Sequence, residues 1–178
     1  MSPTTRRRFL ASMTASMSLV TASGVSLGAA AQSREIGFKH LHTGERLVLE
    51  YFSGGRYIPE SLEAINRLLR DFRSGEAGMM DPALLDLLHE LKRLTGTTQP
   101  FEIISGYRSA TTNAELRRRS AAVASRSLHM TGRAVDIRLA DVPLARLRDA
   151  ALSLGRGGVG YYAGSNFVHV DTGRVRAW

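Results

Sequence analysis

The sequence contains no cysteine. Disulfides and thiolate-bound metals are thereby excluded. A protein working in an oxidising compartment can do without both. Aromatic residues are also scarce, at 7%, with a single tryptophan, Trp178. Basic residues are scattered among acids, and no aromatic-interleaved basic stripe is present, which argues against a nucleic-acid partner. No stretch has the roughly 20 strongly apolar residues that a membrane span needs. The most apolar run, Ala11 to Leu27, is diluted by Ser, Thr and Gly. Nor is there a short contiguous metal-binding motif.

That run follows Thr5-Arg6-Arg7-Arg8-Phe9-Leu10, a twin-arginine pattern, and precedes Ala29-Ala30-Ala31, which suits a signal peptidase. Residues 1–31 therefore read as a Tat signal peptide outside the fold. A transmembrane anchor is the competing reading. The expectation is export by the Tat machinery to the periplasm, no stable membrane insertion after cleavage, and one domain over residues 32–178. Removing residues 1–31 takes away three Arg and no acid. The formal charge falls from +8 to +5, with 21 Lys and Arg against 16 Asp and Glu. Mild basicity suits an anionic polymer, or serves solubility alone.

Apolar spacing predicts an α+β fold, with a small antiparallel sheet and helices packed on one of its faces. Arg34 to Phe38 and Leu47 to Tyr51 read as strands. His40 and His42, between them, have metal-compatible spacing, but a loop or a structural hydrogen-bonding pair explains them as well. Helical periodicity runs from Pro59 to Phe72 and again from Asp81 to Leu94, where Asp81 is an N-cap and Pro82 the first helical residue. His89 lies beside the second apolar stripe and reads as packing or surface. Phe101 to Ser105 reads as a buried strand, Thr111 to Arg118 as a short helix with a solvated Arg117-Arg118-Arg119 run, and Pro143 to Leu154 as a further helix. Gly164-Ser165-Asn166 makes a hairpin turn. Trp178 reads as packing rather than ligand binding.

Two segments carry chemistry. In Ala134 to Leu139, Val135, Ile137 and Leu139 share one strand face, and Ala134, Asp136 and Arg138 the other. In Phe167 to Asp171, His169 shares its face with Phe167 and Asp171. If the two strands pair, Asp136 and His169 face one pocket, and His129 reaches it from a turn that Gly132 permits. Two imidazoles and a carboxylate suit Zn²⁺, with a fourth position left for water. Equally, Asp136 reads as a surface carboxylate and His169 as a satisfied core histidine.

The stretches SGYRS (105–109), SLHMTGRAVDIR (127–138), GGVGYY (157–162) and FVHVDTG (167–173) together resemble the murein endopeptidase K (YcbK-like) family. That family belongs to the zinc peptidases of the lysostaphin, D-Ala-D-Ala metallopeptidase and hedgehog fold. The resemblance implies one Zn²⁺ per chain, held by His129, Asp136 and His169. It also implies a pocket role for Arg108, gripping a substrate carboxylate or a developing oxyanion. Ser127, two residues before His129, is a candidate to touch substrate, to orient the ligand, or only to cap the turn.

The implied activity is a periplasmic endopeptidase that hydrolyses cross-links between peptidoglycan stem peptides, at bonds involving meso-diaminopimelate. A carboxypeptidase trimming stem peptides and a non-catalytic wall-binding module are the alternatives. The sequence departs from many relatives of that superfamily at one point. They carry an acid three residues before the last histidine or a histidine two before it, where this chain has Asn166 and Phe167. Asp171 is left either as a general base or as a group that orients His169.

Overall fold

The computed structural model describes residues 33–120 and 123–178. The signal-peptide reading of residues 1–31 falls outside them. Along the chain lie β1 (Arg34–His40), β2 (Arg46–Ser53), β3 (Arg56–Tyr57), α1 (Pro59–Leu68), α2 (Pro82–Thr95), β4 (Phe101–Ser105), α3 (Ala110–Arg119), β5 (Ala134–Arg138), α4 (Leu144–Leu154), β6 (Gly158–Tyr162), β7 (Phe167–Asp171) and β8 (Arg176–Ala177).

The strands form a single sheet in the order β3-β2-β1-β4-β5-β7-β6-β8. The expectation of a small antiparallel sheet is corrected here, because the sheet has eight strands and is mixed. β1 and β4 are parallel, as are β6 and β8. The helical stretch between β3 and β4 explains the first of these pairs. It carries the chain across the sheet so that β4 can add to β1 in the same direction. The two-residue strands β3 and β8 are too short to leave a periodic signal.

Alternation places the core. Ile36 and Phe38 of β1, Phe101 and Ile103 of β4, Val135 and Ile137 of β5, and Val168 and Val170 of β7 are all buried in one cluster. Leu84, Leu85, Leu88 and Leu91 of α2 join them. α2 packs against β1 and α4, and α4 against β6 and β7. The other face of β5 and β7 is left for polar side chains.

α2 begins and ends as its sequence dictates. The Asp81 carboxylate accepts from the Ala83 amide at 2.9 Å, and Gly96 closes the helix at φ 71°. α1 is shorter than its apolar spacing predicts, ending at Leu68 rather than Phe72. Beyond it the Asp71 carboxylate accepts from the Arg73 amide at 3.0 Å and from the Ser109 amide at 2.9 Å. Such local bonding competes with helix continuation. Phe72 instead stacks on His42, with ring centroids 3.9 Å apart.

Candidate metal centre

β5 and β7 are antiparallel neighbours in the middle of the sheet, and Asp136 is registered opposite His169. Directly opposed residues on one face stand close enough for their side chains to meet. His129 arrives from a 3-10 turn, Leu128–Thr131, which Gly132 closes at φ 66°. A side chain at Gly132 would also collide with the Met79 carbonyl, so glycine is required twice over.

The hydrogen bonds fix which ring nitrogens face one another. His129 Nδ1 lies 2.7 Å from the Gly106 carbonyl oxygen, which can only accept, so Nδ1 carries the proton and Nε2 a lone pair. His169 Nε2 lies 3.1 Å from Asp171 Oδ2, an acceptor when ionised, which leaves the lone pair on Nδ1. These lone pairs converge with Asp136 Oδ1. His169 Nδ1 is 2.8 Å from that oxygen and 3.2 Å from His129 Nε2, and His129 Nε2 is 3.3 Å from it. A tetrahedral ion with bonds of about 2.0–2.1 Å sets its ligand atoms about 3.3 Å apart. The triangle fits that requirement.

All three residues are buried, at 3%, 6% and 9% exposure for His129, Asp136 and His169. Two imine nitrogens and a carboxylate oxygen repel at such distances unless a proton or a metal cation lies between them. Proton affinities carry the same signature. Burial disfavours charge on Asp136, yet the neighbouring His129 and His169 hold its carboxyl well below the usual range. Burial likewise works against a charged His169, but hydrogen bonds to Asp136 and Asp171 outweigh it and raise its affinity for a proton. Among the described residues this is the one cluster of three or more such side chains able to hold a metal ion.

Asp171 stands behind His169 rather than in front of it. It is fully buried and accepts from the Gly158 and Gly173 amides at 2.9 and 2.8 Å. Arg176 adds two guanidinium bonds, of 3.1 and 2.6 Å. Although burial opposes its charge, these donors keep the carboxyl well below its ordinary value. With its lone pairs committed and no place in the cavity wall, Asp171 is not set to accept a proton from water. Of the two readings of Asp171, this placement favours the group that orients His169.

The donors open onto a cavity of about 400 Å³. Arg108 lines it, held by Nη1 at 3.4 Å from Asn113 Oδ1, with its Nε buried and without a protein partner. Burial lowers its proton affinity, which Asp136 partly offsets. Ser127 is also in the wall, and its side chain makes no capping bond to the following turn. His40 lies elsewhere. It is fully buried, and its Nδ1 accepts from the His42 and Thr43 amides at 3.2 and 3.4 Å. It is the structural member of a turn.

Trp178 packs on the fold, with its Nε1 donating to the Tyr162 hydroxyl at 2.8 Å, and it also reaches the cavity. It lines the cavity, is 50% exposed, and its ring lies 5.3 Å from that of His169. Tyr162 and Arg126, which the sequence reading passed over, line it too. Asp71 was also missed. It is buried and holds the Ser109 amide, in the loop that supplies both Arg108 and the Gly106 carbonyl on His129. Burial opposes its charge, but hydrogen bonds from Thr112, Ser109 and Arg73 outweigh it and lower its pKa to about 2. An acid near the end of the Pro59 to Phe72 stripe was the only trace of it in the sequence.

Residues 28–178 match the family described as Peptidoglycan L,D-endopeptidase MepK. The chain is 44% identical over 172 residues to peptidoglycan L,D-endopeptidase MepK of Escherichia coli strain K12, covering 90% of this chain and 94% of that protein. The protein of the same name from Shigella flexneri gives the same identity and coverage. A probable peptidoglycan L,D-endopeptidase MepK of Haemophilus influenzae is 40% identical over 163 residues, covering 91% of this chain and 88% of its own.

Proposed function

Because the chain belongs to the peptidoglycan L,D-endopeptidase MepK family, we propose that it is a periplasmic zinc peptidase hydrolysing cross-links between peptidoglycan stem peptides. The observation that carries the zinc is the triangle of lone pairs on His129 Nε2, Asp136 Oδ1 and His169 Nδ1. A Zn²⁺ held there supplies Lewis acidity, polarising the scissile carbonyl and lowering the pKa of water to about 7.

The chain's own residues do the rest. The Gly106 carbonyl and Asp171 fix the two imidazoles in the tautomers that leave their lone pairs inward. Arg108 lines the cavity, and its guanidinium receives the charge that develops on the carbonyl oxygen. Ser127 and Tyr162 offer hydroxyls to the bound peptide. Among the described residues no side-chain carboxylate or imidazole beyond the three donors lines the cavity. The proton that reaches the leaving amine therefore travels by solvent or by one of those hydroxyls. That same feature favours a second reading, a wall-binding module that keeps the fold without turnover.

Residues 1–31 act as the Tat signal that brings the mature chain, residues 32–178, to its substrate. No helix among the described residues is long and apolar enough to cross a membrane. Digestion of purified muropeptide dimers, read by mass spectrometry, tests the activity. Dimers resolved to monomers establish an endopeptidase, and the product masses name the bond. Shortened monomers indicate a carboxypeptidase instead. Intact products from a folded, metal-loaded protein would leave the wall-binding module.

A further inference from the structure

Trp178 is half exposed yet held wherever it is not exposed. Its indole Nε1 donates to the Tyr162 hydroxyl at 2.8 Å. Its amide donates to the Val159 carbonyl at 3.2 Å, and its own carbonyl accepts from the Tyr161 amide at 2.9 Å. The Arg176 guanidinium lies 4.8 Å from its ring centroid. Gly160 makes room for this arrangement, because a Cβ there would come within 2.8 Å of both Trp178 and Tyr162. A large apolar ring, immobilised beside a metal-donor histidine and open to the cavity, is a contact surface prepared in advance of a ligand.

The charges around the same cavity narrow what that ligand is. Arg176 is neutralised by Asp171. Arg108 is half-buried and has its task at the scissile carbonyl. Arg126 is exposed at the cavity wall and has no ion pair or hydrogen bond among the described residues. An unpaired guanidinium selects a carboxylate. With Arg176 neutralised, Arg108 and Arg126 still disfavour a cationic group against the indole, so an alkyl chain is the better complement for the ring.

We propose that Trp178 and Arg126 form a recognition subsite for the substrate residue beside the scissile amide, Trp178 taking its aliphatic chain and Arg126 its free carboxylate. The proposal rests on the peptidase reading above and adds the chemistry by which the substrate is selected. It also gives the C-terminal strand β8 a role, since β8 is the element that carries Trp178 to the cavity.

The test is steady-state cleavage of two synthetic cross-linked peptides. They are identical except that the carboxylate next to the scissile amide is free in one and a primary amide in the other. Wild type, Arg126→Gln, Trp178→Ala and Trp178→Phe are compared, and zinc affinity is measured for each by competition with a chelator. The wild type is expected to favour the acid by about tenfold or more in kcat/KM, and Arg126→Gln to bring that ratio to about one. Trp178→Ala is expected to raise KM about tenfold on both peptides, with kcat and zinc affinity held and most of the loss restored in Trp178→Phe. Equal wild-type cleavage of acid and amide overturns the carboxylate assignment. A Trp178→Ala protein with unchanged KM, or with weakened zinc binding, overturns the platform and makes Trp178 a support for His169. A wild type that cleaves neither peptide overturns the peptidase reading itself, and the subsite falls with it.

Discussion

Each donor imidazole is set by one protein group behind it, and single residues therefore bear directly on the metal. Asp171 does this for His169, through the 3.1 Å bond to Nε2. Asp171→Asn keeps the shape but presents a mixed donor and acceptor in place of two acceptor oxygens. Metal affinity is expected to drop about 10–100-fold, read by competition with a chromogenic chelator, while circular dichroism stays that of the wild type. A second residue-scale expectation concerns His40. Its burial, with His42 beside it, lowers its pKa to about 4 from an ordinary 6.5. The folded ring stays neutral where the unfolded ring has already taken a proton. Its contribution to stability is thus whole above pH 6.5 and is lost as the pH falls from about 6.5 to about 4, at up to about 1.36 kcal/mol per unit. In denaturant titrations across that window, His40→Asn is expected to show a shallower slope than the wild type by up to one proton. Identical slopes would remove His40 from the acid response.

At the scale of elements, the N-terminus of α2 is what ties the helical layer to the site. The Asp81 amide donates to the Gly132 carbonyl at 2.9 Å. One carboxylate oxygen caps α2 at the Ala83 amide, and the other accepts from the Thr172 hydroxyl at 2.8 Å. Gly132 follows His129, and Thr172 follows β7. Asp81→Ala removes a cap and a long-range bond together. The expected loss is about 1–2 kcal/mol in chemical denaturation, most of it recovered in Asp81→Asn, which still caps. Asp81 as an N-cap was legible in the sequence because capping is a local affair of three residues. Its bond to Thr172 was not, because nothing local links positions 91 residues apart. The same distinction runs through the site. Period-two alternation put Asp136 and His169 on the polar faces of their strands, and the register of β5 against β7 then brings them together. The parallel pairing of β1 with β4, and of β8 with β6, depends on where the chain returns to the sheet, which alternation does not encode. That is why Trp178 read as packing. Its place beside His169 follows from a two-residue strand and from the missing Cβ of Gly160.

At the scale of the whole molecule, one face of a mixed sheet is given to a leucine-rich core and the other to a polar cavity. The middle strands β5 and β7 belong to both. Their buried Val135, Ile137, Val168 and Val170 anchor them from behind, so that Asp136 and His169 stand on rigid strands rather than on loops. Only His129, Arg108 and the cavity's rim are on turns, and each of the first two is held by the other's backbone, through the 3.1 Å bond from the Arg108 amide to the His129 carbonyl. A site with its metal donors so fixed is expected to survive metal removal folded and to regain activity on reloading. The most direct test of a zinc-dependent peptidase is a zinc titration of the metal-stripped mature protein, followed by cleavage of muropeptide dimers. Activity absent from the stripped protein, rising linearly and saturating at one Zn²⁺ per chain in the wild type but not in Asp136→Ala, is the expected result. Undiminished cleavage by the stripped protein, or full activity of Asp136→Ala at one zinc per chain, would contradict it.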